Sequence, residues 1–221
     1  MPIELRAVSR ALEGEVRLQA AGAADEMRLD VALQACILIL NLDVESYRGW
    51  SEIIVYPDEF FPGHTHTDEA GVVHHDPGPM AGEAWLQGPV VLSWADVARS
   101  GADDGVNVVI HEFAHKLDML NGDANGFPPL HKGMNRAAWS RTFEVAYRDF
   151  CERVDAGQHT QIDPYASESP GEFFAVLSEA FFEIPGAVIH LYPDVYEQLR
   201  QFYRQDPIER HGARTQWRSR S

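Results

Sequence analysis

The chain has 221 residues, 45% of them hydrophobic, which is enough for one large domain with a sizeable core. Its 18 Lys and Arg against 34 Asp and Glu give a net charge of −16, which excludes a phosphate-tracking surface and with it nucleic-acid binding. No apolar run approaches the roughly 20 residues that span a bilayer, and the first residues carry no secretory signal pattern, so the expectation is a cytoplasmic protein without a membrane helix.

In chain order, Glu4 to Leu18 reads as a helix, and Leu29, Leu33, Cys36, Ile37 and Leu40 recur at the spacing of a second one. Ile53 to Tyr56 is a short β-branched run stopped by Pro57, and Pro89 to Trp94 is another, entered through Gly88; both read as strands. Sequence alone does not decide whether the second is an edge strand able to pair with an extended peptide. Between them, Pro57 to Pro79 holds seven Pro and Gly residues with His64, His66, His74 and His75, so most of it is expected to be irregular loop. Val106 to Leu120 forms a helix stopped at Asn121-Gly122. Trp139, Phe143, Ala146 and Phe150 mark the next helix, and Phe173, Leu177, Ala180 and Phe181 a third, opened by Ser169-Pro170. Tyr192 to Tyr203 is the last. Cys36 and Cys151, far apart in apolar helical surroundings, read as buried thiols.

The fold class is α+β and mainly helical, with a small β-sheet. No repeat or linker divides the chain, so residues 1–208 read as one domain. It comprises N-terminal helices, a β segment over 52–94 and active-site helices over 104–184. A tail of low apolar content over 209–221, with four arginines, is expected to be mobile.

The sharpest motif is His111-Glu-Phe-Ala-His115. Histidines at i and i+4 project from one side of a helix and can reach a single Zn²⁺, and the intervening Glu112 is placed to take a proton from water. At about 100° per residue, Val106, Val109, Ile110, Phe113, Leu117 and Leu120 make one apolar stripe, with His111, His115 and Asp118 on the opposite side. A catalytic zinc needs a third protein ligand. Asp118 and Asn121 occupy the positions where a metzincin has Gly and its third His, so that pattern fails. Glu172 and Glu179 both sit on the aromatic helix expected to pack on this one; seven residues separate them, and only one can readily join the metal. Asp118 reads either as a group orienting His115 or as a solvated carboxylate. His131, behind Pro128-Pro129, reads as structural or substrate-facing.

Four stretches resemble the M90 zinc peptidases: Glu83 to Trp94, Val109 to Asp118 with Asn121-Gly-Asp123, Tyr165 to Glu179, and Gln201 to Pro207. The resemblance implies a gluzincin-like zincin fold similar to the catalytic domain of anthrax lethal factor. It implies one Zn²⁺ on His111, His115 and Glu172, Glu112 as general base, and Tyr165 near the substrate carbonyl. A histidine ahead of the core motif can approach the metal in resting members of the family, and His74 matches it by position. The family's typical member binds the glucose repressor Mlc and has aminopeptidase activity. A peptide substrate and a repressor partner are therefore the partners implied.

Overall fold

The computed structural model describes residues 16–18, 24–47, 53–56, 65–67, 73–75, 82–84, 89–102 and 104–209. The elements in order are β1 (Val16–Leu18), α1 (Ala24–Ile39), β2 (Ile53–Tyr56), β3 (Thr65–Thr67), β4 (Val73–His75), β5 (Gly82–Ala84), β6 (Val90–Ser93), α2 (Trp94–Val97), α3 (Val108–Asp118), α4 (Arg136–Asp155), α5 (Pro170–Glu183), α6 (Pro185–Leu191) and α7 (Pro193–Tyr203). The class is α+β and mainly helical, as expected. No described helix is long and apolar enough to cross a membrane.

Four strands form one sheet in the order β1-β2-β6-β5. β1, β2 and β6 run parallel, with Val16 opposite Ile53 and Ile53 opposite Val90; β5 runs antiparallel to β6, with Glu83 opposite Val91. All four residues of β6 are buried, as a strand covered on both faces requires, whereas β2 alternates. β6 is therefore interior. Among the described residues the edge on that side is β5, which lies against α3. The strand Val16–Leu18 corrects the expected helix over Glu4 to Leu18; the remainder of that stretch, and the tail beyond Glu209, lie outside the described residues. Within the expected loop from Pro57 to Pro79, β3 and β4 pair antiparallel with His66 opposite His74, and the rest of that stretch lies outside the described residues.

α3 begins at Asn107, whose side-chain oxygen accepts from the Ile110 amide, and runs into a 3₁₀ turn over Met119–Asn121 that ends at Gly122, φ 144°. Ser169 caps α5 in the same way through the Glu172 amide, with Pro170 in the first turn. α3 and α5 pack face to face, and α1 and the sheet cover the rest of α3. The apolar stripe expected on α3 is thus incomplete as a description. Ten of its eleven residues are buried, while Val106 and Leu120, at the ends of the stripe, lie beyond the helix and are exposed.

Behind α5, the four expected residues of α4 are all buried. Trp139 stacks on Phe143 at 4.3 Å between ring centroids, and Phe174 and Phe202 close around the indole. This aromatic wall fixes the far side of α5 and so the direction in which its glutamates point.

Candidate metal centre

His111 and His115, one turn apart on α3, bring their Nε2 atoms to 3.1 Å. Glu172, in the first turn of α5, places Oε2 3.0 Å from the His111 nitrogen and 3.3 Å from that of His115. Around a four-coordinate cation with metal–donor distances of about 2.0–2.1 Å, neighbouring donors lie about 3.3 Å apart. The three atoms already form that triangle. Two imidazole nitrogens and a carboxylate oxygen facing one point form a donor set that suits a divalent cation, and His111, His115 and Glu172 could hold one.

The electrostatics have the same origin. Burial works against charge on Glu172, but its hydrogen bonds to His111 and His115 hold its carboxyl well below the usual carboxylate range. Burial likewise disfavours a charged His111, yet Glu179, Glu172 and Glu112 outweigh it and raise that imidazole well above its ordinary value. His115 is lowered, chiefly by burial. Three carboxylates thus surround two imidazoles, and the net attraction is for positive charge.

Glu179 does not share the donor triangle. Its Oε1 lies 2.7 Å from His111 Nδ1, on the opposite edge of the ring, and its Oε2 accepts from the Asn107 amide at 2.6 Å. Glu112 is buried on α3, its charge felt by both His111 and Lys116. Tyr165 stands in a 3₁₀ turn before α5, half exposed, its ring centroid 6.1 Å from that of His111.

Asp118 answers neither expectation made for it. It is fully buried and its Oδ2 accepts from the Gly126 amide at 2.7 Å, so it is neither solvated nor hydrogen-bonded to His115. Burial pushes its carboxyl up to about 6, against the Gly126, Asn125 and Phe127 amides, which draw it down. His131 is structural: its Nε2 donates to the Phe202 carbonyl at 2.7 Å and its ring stacks on Phe202. His74 lies in β4; His64 is outside the described residues. Sequence reasoning missed Asn107 and Glu183. The signal available was the Asn before an apolar helical run, which marks an N-cap but not its other partners.

Two histidines on a buried helix with a glutamate from the packed neighbour are the donors that metallopeptidases use. Residues 5–204 match the glucose-regulated metallo-peptidase M90 family, and the chain belongs to it. It is 38% identical to Mlc titration factor A of Serratia proteamaculans over 198 residues, which is 88% of this chain and 75% of that protein. Proteins of the same name from Salmonella gallinarum and Salmonella arizonae are each 40% identical over 185 residues, covering 81% of this chain and 69% and 72% of theirs.

Proposed function

We propose that the protein is a zinc-dependent peptidase in which His111, His115 and Glu172 hold one Zn²⁺. The observation that carries this reading is the triangle of donor atoms 3.0–3.3 Å on a side. When bound, zinc supplies Lewis acidity toward the scissile carbonyl and toward water. Glu112 accepts the proton of the attacking water and delivers it to the leaving amine. Tyr165 donates its phenol hydrogen to the oxyanion, a role its position beside His111 supports. The edge of β5, lying against α3, is the strand on which an extended substrate backbone would pair.

The proposal has three finer parts, aminopeptidase-type cleavage, a gluzincin-like fold similar to the lethal factor catalytic domain, and a cytoplasmic site of action; they rest on the resemblance of the sequence motifs, to which the family match adds the metallopeptidase class alone. His74 is proposed as a fourth, resting-state ligand that must withdraw before substrate binds. His74→Ala is then expected to raise kcat/KM with zinc retained; a loss of activity would remove His74 from that role.

The central test is Glu112→Gln. It should keep one zinc per chain and lower kcat/KM by about a hundredfold or more. Full activity in that variant would sink the mechanism.

A second reading comes from the relatives' name, titration factor, which points to capture of a repressor protein. Pull-down with wild type and Glu112→Gln separates the two. Equal repressor capture and equal biological effect from the inactive variant would favour binding as the main function.

A further inference from the structure

Asn107 spends all four of its polar groups at the junction of α3 and α5. Its side-chain oxygen accepts from the Ile110 amide at 3.0 Å, and its carbonyl accepts from the His111 amide at 2.9 Å. Its Nδ2 donates to Glu183 Oε1 at 3.0 Å, and its backbone N–H donates to Glu179 Oε2 at 2.6 Å. Glu179 in turn holds His111 Nδ1 at 2.7 Å. Asn107 therefore grips His111 at two points, at its backbone directly and at its ring through Glu179.

The arrangement follows from helix geometry. Glu172, Glu179 and Glu183 are separated by seven and four residues, so at about 100° per residue they fall within roughly 40° of one another on α5. This acidic edge crosses the first turn of α3, one carboxylate facing the donor triangle, one the back of His111 and one the Asn107 amide. All three outer members are shielded from water, with Asn107 1%, Glu179 5% and Glu183 8% exposed. An N-cap needs only the side-chain oxygen. The amide nitrogen aimed at a buried carboxylate is left over from that task.

We infer that Asn107 is a positioning residue for the metal centre: its amide, clamped by Glu183, fixes the backbone N–H that holds Glu179 and, through Glu179, the ring of His111. The inference rests on the zinc reading above. Hydrogen-bond partners of ligating histidines set ring orientation and basicity, and their loss typically costs about 10–100-fold in metal affinity.

The test uses zinc affinity of the full chain, measured by competition with a chromophoric chelator, together with the melting temperature of the metal-free protein. Asn107→Ser keeps a capping oxygen but loses the amide donor. It should raise the zinc Kd about tenfold while metal-free melting stays close to wild type. Glu183→Ala should raise Kd similarly, and Glu183→Gln, which keeps an acceptor for the amide, should restore it to within about twofold. In a Glu179→Ala background, Asn107→Ser should add almost nothing, because the route to His111 is already cut. Wild-type zinc affinity in Asn107→Ser with lowered metal-free melting would overturn the inference and leave a plain helix cap. So would a tenfold loss that persists in full on top of Glu179→Ala. If Asn107→Ser does not fold, the Glu183 pair decides alone, and equal Kd values for its Ala and Gln forms reject the inference. Should the wild-type chain bind no zinc, this inference and the zinc reading fall together; loss confined to the variants leaves the zinc reading standing.

Discussion

A histidine ligand has a second ring nitrogen, and what that nitrogen meets decides how firmly the ring is held. His111 gives its Nδ1 to Glu179 at 2.7 Å, while the Nδ1 of His115 is buried with no hydrogen-bond partner among the described residues. His111 thus meets a carboxylate at both ring nitrogens, and His115 only at Nε2. Glu179→Gln keeps an acceptor but removes the charge, so it should weaken zinc binding about tenfold without abolishing it. Chelator competition reads this directly, and an unchanged Kd would show that Glu179 serves only to tie α5 to Asn107. The pairing of Glu172 with one face of the donor set and Glu179 with the other was half legible. Seven residues bring both carboxylates to nearly the same side of α5, and the rise of about 1.5 Å per residue separates them by about 10 Å along it. That distance forbids both from entering one triangle. Which of the two enters depends on how far α5 slides along α3, and no local pattern encodes that offset.

At the scale of elements, the loop between α3 and α4 shows how the offset is set. Gly126 donates its N–H to Asp118 and accepts from the Trp139 indole at 3.0 Å. A Cβ on Gly126 would meet the Pro170 carbonyl at 2.5 Å, and one on Gly171 would meet the Ala124 carbonyl at 2.9 Å. Backbone lies on backbone here, directly beside the turn of α5 that carries Glu172. Gly126 also has φ 77°, a left-handed conformation that L side chains resist. Gly126→Ala should therefore cost about 3 kcal/mol, strain and overlap together, and lower the melting temperature by about 6–12 °C. It should also weaken zinc binding, because relief of the overlap moves Glu172. A variant that melts like wild type would mean that the loop yields freely and does not seat α5.

The period of α1 was readable while its buried face was not. Leu29, Leu33 and Leu40 are exposed, and Met27, Val31, Ala35 and Leu38 carry the packing. Apolar residues occur all around this helix, so the sequence offered two stripes. The partner selected one: Tyr47, which donates to the Ala35 carbonyl at 2.7 Å, meets Phe113 of α3 edge-on at 5.0 Å. Strands of three residues such as β1, β3, β4 and β5 leave no signature in the sequence for a related reason, since three residues show no resolvable alternation.

Across the whole molecule, the end of α7 is tied back to α1. Gln205 donates to the Ile37 carbonyl and Asn41 to the Arg204 carbonyl, each at 2.7 Å. Around α3, Glu112, Glu179 and Glu183 are buried and Glu172 is partly exposed, in a chain already carrying a charge of −16. A divalent cation at the donor triangle would relieve that concentration of negative charge, so metal and fold should be linked. Free zinc at about a thousand times its Kd would contribute ~4 kcal/mol, or about 8–16 °C of melting temperature. Melting curves with chelator, and again after zinc is restored, measure it. Identical curves would detach the cluster from metal binding.

What the sequence determined by itself was whatever is periodic or contiguous: the strands at Ile53 to Tyr56 and Val90 to Ser93, the helices marked by Trp139 and Phe173, and the i, i+4 histidines with Glu112 between them. Those features depend on backbone geometry that neighbours a few residues apart already fix. Only the tertiary structure decided that Glu172 faces both histidines, that Glu179 backs His111, and that Asp118 is buried under Gly126. It also decided that, among the described residues, β5 and not β6 forms the edge beside α3. Each of these rests on the register of one element against another. Buried backbone contact and core volume set that register, and they involve residues far apart in the chain.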